Sequence, residues 1–410
     1  MTRLLFIHPG LVPPASDPIR NRFHYLSAAC EGEVLLPVWW RSVTQVRQDL
    51  KQAFPVHRVG RFSYHMFLFL RFPRFVRKLA VFSWYIARGI QLHRGNKIDV
   101  IVAYGTNMPA IAGTVLKWLT GAKLIVEIPG APENAFRYDT PNPGVTSSVK
   151  HFLADLLLLF VGRACDCLKL FYPWQLQEYP RLQNKQAAIF HDFVPVRCVE
   201  LTPESNEQFI LCVGFPWYTK GVDILIRAFK QIVEGYPNLK LKLMGYYPDR
   251  QVLEELAKGC SQIEFLGAHP NEVALKVISA CTIYVSASRT EGVPWVLLEA
   301  MAGARPIIAA KVGGVPYCIA DGDNGLLFSS GDVEELAEKM VILLNDRQLR
   351  DRLGRRGRER VMSEFDELAY VNHFQKMLEA VLLEPPSRGP TVASGQATLT
   401  SSQRREAPSR

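Results

Sequence analysis

The chain has 410 residues, 48% of them hydrophobic and 21% charged. That is room for two domains with separate cores, and it excludes a disordered or fibrous chain. No uninterrupted apolar run approaches about 18 residues, which argues against a bilayer-spanning helix. The net charge of +9 belongs to the first half, where residues 1–200 carry about 24 Lys/Arg against 13 Asp/Glu, whereas residues 201–410 carry about 24 against 26.

The first half alternates strand and helix patterns. The start has a single basic residue and a brief apolar stretch, so residues 4–8 read as a first strand rather than a signal peptide. Pro9-Gly10 ends that strand. Ser16-Asp17-Pro18 reads as a helix cap with proline at the first helical position, and Phe23, Leu26 and Cys30 lie on one helical face. Residues 34–38, 100–103 and 123–127 read as strands, and residues 109–119 and 151–160 as helices. Residues 129–144, rich in Pro, Asn and Gly, read as a loop.

The second half repeats the alternation more cleanly. Residues 209–213 form a buried strand that ends at Gly214. A helix follows with Val222, Leu225, Ile226, Phe229 and Ile232 on one stripe. Residues 239–243 alternate apolar and basic, as a half-buried strand does. Residues 263–266, 282–285 and 306–309 are further strands, and a helix over 332–344 opens on the capping pair Asp332 and Glu335. Strand, helix, strand at this spacing implies parallel sheets with crossover helices, hence two Rossmann-like domains. The linker is expected around residues 198–207. The domains are therefore read as 1–200 and 201–364, followed by a last helix over 365–384. A tail over 385–410, rich in Ser, Pro, Gly, Thr and Arg, has no core-forming pattern and is expected to be disordered.

Two compositional features bear on partners. No acid occurs between Asp49 and Asp99, and the gap interleaves Arg58, Arg61, Arg71, Arg74, Arg77, Lys78, Arg88, Arg94 and Lys97 with aromatic residues. Residues 58–97 thus read either as a peripheral contact with an anionic membrane or as core aromatics with arginines reaching solvent. Single-stranded nucleic acid uses the same residue types, but no compact nucleic-acid motif supports it. The eight cysteines show no disulfide or metal-ligand spacing, which implies buried reduced thiols in a cytosolic protein.

The chemistry concentrates in the run from Ser288 through Glu291-Gly292-Val293-Pro294-Trp295 to Glu299-Ala300-Met301. One carboxylate stands in a Gly/Pro loop, and a second lies eight positions on in a helix-forming stretch. A helix start with exposed N–H groups favours phosphate, and carboxylates beside it accept hydrogen bonds from sugar hydroxyls. Ala302-Gly303, Pro306-Ile307-Ile308-Ala309, Val312-Gly313-Gly314-Val315 and Asp321-Gly322-Asp323-Asn324-Gly325-Leu326-Leu327-Phe328 follow. Over about residues 286–328 the chain resembles the retaining glycosyltransferases of family 4. The resemblance implies the GT-B fold, two Rossmann-like domains with parallel sheets facing a central cleft. The first domain would bind the acceptor, the second would bind the donor, and the last helix would cross back to the first domain.

The same resemblance assigns roles. Lys220 would neutralise charge on the departing nucleoside diphosphate, and Glu291 would contact the donor sugar; these are the catalytic candidates. Gly292, Val293 and Trp295 would offer N–H groups to the phosphates around Pro294, which has none to give. Glu299 would hold the ribose hydroxyls. Gly10 and Gly214 would let backbone approach the donor. The family places an Arg five residues before Lys220, where this chain has Phe215, so Arg289, Arg20 or Arg22 is expected to compensate. A family His near the sugar is also missing after residues 124–127, with Glu127 or Glu133 as replacement candidates. Asp321 and Asp323 have a metal-like spacing, but Asn324-Gly325 makes the segment a turn, which fits a metal-independent enzyme with no cofactor beyond a UDP- or GDP-linked sugar. The expected activity is transfer of a sugar to a glycan or lipid-linked acceptor on the cytoplasmic membrane face. A non-catalytic relative that binds a nucleotide sugar or a partner is the alternative, with Phe215 as its support, and an epimerase is a third option.

Overall fold

The computed structural model describes residues 1–9, 21–39, 56–69, 73–130, 145–203 and 205–383. Gly10, Arg20, Glu133, the proposed cap at 16–18, the loop at 131–144 and the tail at 385–410 lie outside the described residues. Two compact units are distinguished, one drawn from Met1–Pro132, Phe152–His191 and Tyr370–Arg410, the other from Glu133–His151 and Asp192–Ala369.

The first unit is built on eight strands: β1 (Thr2–Ile7), β2 (Cys30–Trp39), β3 (Val56–Val59), β4 (Phe62–Phe69), β5 (Val100–Tyr104), β6 (Lys123–Ile128), β7 (Cys167–Leu170) and β8 (Ala187–Ile189). Their spatial order is β3-β4-β2-β1-β5-β6-β7-β8. All neighbours are parallel except β3, which pairs antiparallel with β4 at the edge. Helix α1 (Arg22–Leu26) is capped by Asn21, whose side chain accepts from the Phe23 N–H, and it buries Phe23 and Leu26. Cys30, placed on the same helical face by its spacing, instead begins β2.

Helices α2 (Arg74–Gly95), α3 (Met108–Thr120) and α4 (Val145–Ala164) follow. They share one core with the sheet, in which Val81, Tyr85, Leu116, Leu158 and Val161 meet Leu5, Ile101, Leu124 and Leu168. Parallel strands need such crossover helices, and stacking them against one face buries the apolar side of each.

The second unit is cleaner. Strands β9 (Phe209–Val213), β10 (Lys240–Met244), β11 (Ile263–Gly267), β12 (Ile283–Ser286), β13 (Ile307–Ala310) and β14 (Leu326–Phe328) lie in the order β11-β10-β9-β12-β13-β14, all parallel. Helix α5 (Val222–Ile232) buries the anticipated stripe of Val222, Leu225, Ile226, Phe229 and Ile232. Helices α6 (Arg250–Ala257), α7 (Asn271–Ala280), α8 (Trp295–Ala302), α9 (Val315–Cys318), α10 (Val333–Asn345) and α11 (Arg347–Glu364) complete it. Asp332 caps α10 by accepting from the Glu335 N–H, while Glu335 accepts from the Ser329 N–H. The stretch read as a linker is fastened to this unit: Thr202 donates its hydroxyl to the Ser279 carbonyl, and Arg305 donates to the Thr202 carbonyl.

Helix α12 (Glu367–Leu383) is the last described element. From Tyr370 onward it clusters with the first unit. There Phe374 stacks on Phe6 at 6.1 Å and meets Phe190 edge-on at 6.3 Å.

Candidate active site

The order of the second sheet sets where chemistry can sit. β9 and β12 are neighbours, but the chain leaves β9 toward β10 on one side and leaves β12 toward β13 on the other. At such a reversal the loops at the carboxyl ends of the two strands part, and the opening between them is where open α/β sheets bind ligands. The loop after β9 carries Gly214 to Gly221, and the loop after β12 carries Ala287 to Pro294.

Two close approaches hold these loops together. Gly221 caps α5 in the left-handed region at φ 63°, and a β-carbon there would lie 1.8 Å from the Ala287 carbonyl oxygen. Only glycine lets the end of the first loop press against the start of the second. Gly313, at φ 49°, faces the Glu291 carbonyl oxygen in the same way, at 1.8 Å from a built β-carbon, and the Gly314 N–H donates to the Gly292 carbonyl. The Gly-rich turn after β13 thus braces the backbone of Glu291 and Gly292.

Lys220 and Glu291 meet across the opening, with Nζ 2.6 Å from Oε1. The Ser288 hydroxyl donates to the same Oε1 at 2.7 Å. Among the described residues Glu291 Oε2 accepts no hydrogen bond, and the side chain keeps a small exposure to solvent. The stem of Lys220 lies over Gly214, where any β-carbon would come within 2.8 Å of Lys220 Cγ. Gly214 therefore serves the lysine's path. The Lys220 loop is itself turned by hydrogen bonds from the Lys220 N–H to the Pro216 carbonyl and from the Val222 N–H to the Trp217 carbonyl.

Glu299 sits on α8 with its side chain mostly buried, and Asn271 at the start of α7 donates to its Oε1 at 3.5 Å. It makes no hydrogen bond to Lys220 or Glu291. Both carboxylates nevertheless act on one group: the phenol of Tyr284, fully enclosed in β12, is held well above its ordinary range first by burial and then by charges that include Glu291 and Glu299. Beneath the ion pair, burial pushes the Cys212 thiol up to about 12, so it is protonated near neutrality and no nucleophile. Val293 is buried, and Trp295, the first residue of α8 after Pro294, is half-exposed.

Arg289 is placed differently from the compensating cation that the sequence suggests. Its two Nη atoms grip Asp223 on α5 at 2.7 Å each, Nη1 also donates to the Tyr218 carbonyl at 2.6 Å, and its guanidinium lies 3.9 Å from the Tyr218 ring centroid. Its own N–H donates to the Thr219 carbonyl. Arg22 is likewise engaged, with Nη1 2.9 Å from Glu127 Oε2 in the first unit. Phe215 is half-exposed and packs only 5.6 Å from the ring of Tyr246. The segment Asp321 to Gly325 is a turn in which the Gly322 N–H donates to the Gly325 carbonyl and Asp321 accepts from the Leu327 N–H.

Sequence reasoning assigned nothing to Ser288 and Asp223. Ser288 was visible only as part of the motif run. Asp223 reads alone as an acid in the first turn of a helix, a common dipole partner, and its bidentate arginine stands 66 positions away.

Residues 199–360 match the family described as Glycosyl transferases group 1. The matched segment contains Lys220, Asp223, Ser288, Arg289, Glu291 and Glu299. Over 195 residues the chain is 34% identical to an uncharacterized glycosyltransferase of Methanocaldococcus jannaschii, covering 47% of this chain and 53% of that protein. Over 187 residues it is 30% identical to the capsular polysaccharide biosynthesis glycosyltransferase CapM of Staphylococcus aureus, covering 44% and 48%. The chain spans about half the length of the curated relatives it matches. Among solved structures, sucrose-phosphate synthase from Thermosynechococcus elongatus superposes with a TM-score of 0.76 at 18% identity, over 93% of this chain and all of that one. Anabaena HepE in complex with UDP-glucose superposes with a TM-score of 0.66 at 16% identity, over 93% of this chain and all of that one. The chain has the two-domain GT-B fold.

Proposed function

We propose that this protein is a glycosyltransferase that takes a sugar from a nucleotide-sugar donor and passes it, with retention and without a metal, to a glycan or lipid-linked acceptor at a membrane face. The observation that carries the reading is the Lys220–Glu291 pair at the switch point of the second sheet, 2.6 Å apart and partly open to solvent. A diphosphate entering there competes with Glu291 for the ammonium group. Lys220 is then positioned to stabilise the oxygen that gains charge as the bond from phosphate to sugar breaks. Glu291, released from Lys220 but still held by Ser288, accepts hydrogen bonds from sugar hydroxyls. The amino end of α8 adds positive potential, and Glu299 serves the ribose. The relatives support the donor class: HepE is described in complex with UDP-glucose, and the E. coli trehalose-6-phosphate protein with UDP-2-fluoro glucose.

Calorimetry with UDP, GDP and their sugar conjugates, joined to a product assay, tests the reading. Tight binding of one nucleotide series with turnover supports it, and no binding of any nucleotide sinks it. Phe215 favours a second reading, a nucleotide-sugar-binding relative without turnover, because with Arg289 gripping Asp223 the loop offers Lys220 as its cation. Binding without product on any acceptor would favour that one.

A further inference from the structure

The basic, aromatic stretch at residues 58–97 divides in the structure. Phe62, Tyr64 and Tyr85 are buried, and Phe62 packs on Phe6 and Phe23. Those rings are core and reach no partner. The exposed apolar surface lies on the outward side of the helical layer made by α2, α3 and α4, of which only α2 belongs to residues 58–97. Trp118, at the end of α3, is 64% exposed, and Phe152, near the middle of α4, is 61% exposed. Leu153, Leu156 and Phe160 continue the α4 face at helical spacing, all substantially exposed. The rings of Trp118 and Phe160 touch edge-on at 6.2 Å, which joins the two helices' outer faces into one patch. On α2, Phe75 and Leu79 also stand out into solvent, one turn apart.

We infer that this outer face of α2–α4 docks the protein on an anionic lipid bilayer, with α3 and α4 inserting the apolar anchors. Large apolar side chains grouped on one side of a water-facing layer mark an interaction surface. Charge selects the occupant. The three helices carry eight Lys or Arg residues against a single acid, Asp155, and Lys78, Arg94 and Arg163 are exposed. A second copy of the chain would set this positive field against itself, whereas anionic headgroups complement it. Tryptophan at the margin of the patch suits the headgroup level, and leucine and phenylalanine suit the acyl boundary beneath it. This deepens the membrane part of the proposed function, keeps Phe75, Lys78 and Arg94 from residues 58–97 and adds anchors on α3 and α4, and it does not depend on the donor.

The test uses the full chain and sucrose-loaded vesicles of phosphatidylcholine, alone or mixed with phosphatidylglycerol. At low salt the protein is expected to sediment with the mixed vesicles and not with the neutral ones. Leu153→Glu combined with Phe160→Glu should weaken that binding by about tenfold or more, while circular dichroism stays unchanged because both side chains already face water. Calorimetry with UDP and GDP on the same variant keeps the two claims apart, since donor binding should not move. Absence of sedimentation of the unsubstituted protein at low salt, or equal binding by the variant, overturns the inference. So does a self-association that the same substitutions dissolve without any vesicle binding.

Discussion

Each unit gathers acids and bases near the carboxyl ends of its parallel strands, and the two clusters are finished in opposite ways. In the first unit Glu127 on β6 and Lys169 on β7 are both fully enclosed, 3.5 Å apart. Arg22 closes the other side of Glu127, and Lys169 lies over the rings of Phe171 and Phe190 at 4.5 and 4.8 Å. In the second unit Lys220 and Glu291 remain 24% and 10% exposed at the side chain. A sealed cluster has its partners built in, so its charges hold one another. An open pair in a parted loop system can exchange one partner for a ligand. The proposed chemistry accordingly sits in the second unit, while both oxygens of Glu127, the candidate for the missing His, lie beside Arg22 and Lys169.

The largest effect is expected where the sealed cluster is broken. Lys169→Ala leaves Glu127 buried with one partner fewer and should destabilise the protein by about 3–5 kcal/mol, read by urea unfolding followed through intrinsic fluorescence. Glu127→Gln together with Lys169→Met keeps the volumes and removes both charges, so it should cost far less. Equal losses in the single and double variants would mean that packing, not charge, matters there.

At the open pair the same kind of change should spare the fold and stop the reaction. Lys220→Ala is expected to lower turnover by about a hundredfold, with the unfolding midpoint nearly unmoved, because the ammonium group is partly solvated and Ser288 still holds Glu291. A large loss of stability without a loss of turnover would reverse the contrast between the units.

Arg289 tests the frame between the two loops. Through Asp223 on α5 and the Tyr218 and Thr219 carbonyls it ties the loop after β9 to the loop after β12, a frame expected to position Lys220 against Glu291. Arg289→Ala should reduce kcat by about tenfold, with a smaller change in the Kd for UDP or GDP. Arg289→Lys should rescue little, because lysine cannot reproduce the bidentate grip or the stacking on Tyr218. A selective loss of nucleotide affinity instead would return Arg289 to the phosphate-binding role that the sequence suggests.

What the sequence made legible follows the range of the forces involved. The strands at 209–213 and 239–243 and the α5 stripe were readable because local periodicity and burial agree. The Gly-rich motif around Glu291 was readable through its family resemblance, and the close backbone approach at Gly313 shows why glycine stands there. Strands β7 and β8, of four and three residues, are too short for a periodic signal. Helix α11 has few apolar positions, and Arg350 is buried there to cap the Leu343 and Leu344 carbonyls, so no stripe announces it. The Asp223–Arg289 grip and the burial of Phe62 and Tyr85 are tertiary choices. Nothing within a few residues of these positions distinguishes them from a solvated ion or a surface ring.

The smallest expected effect contrasts the sealed cluster with an exposed network in the second unit. Glu207 pairs with Lys240 at 2.6 Å and also with Lys242, and hydrogen bonds from these two lysines, Lys240 first, hold its carboxyl below the usual range. A carboxylate depressed in the folded state stabilises above its unfolded pKa and loses that contribution as pH falls through the folded one. Glu207→Gln should therefore lower the melting temperature slightly at neutral pH and not at all in strong acid. Because the network is solvated, salt at a concentration that shortens the Debye length to about 3 Å should erase the difference at neutral pH as well. The same salt should leave the penalty of Lys169→Ala almost intact, since no solvent reaches that pair. If salt diminished both effects equally, the Glu127–Lys169 pair would be open to water, and the division between a sealed and an open cluster would fail.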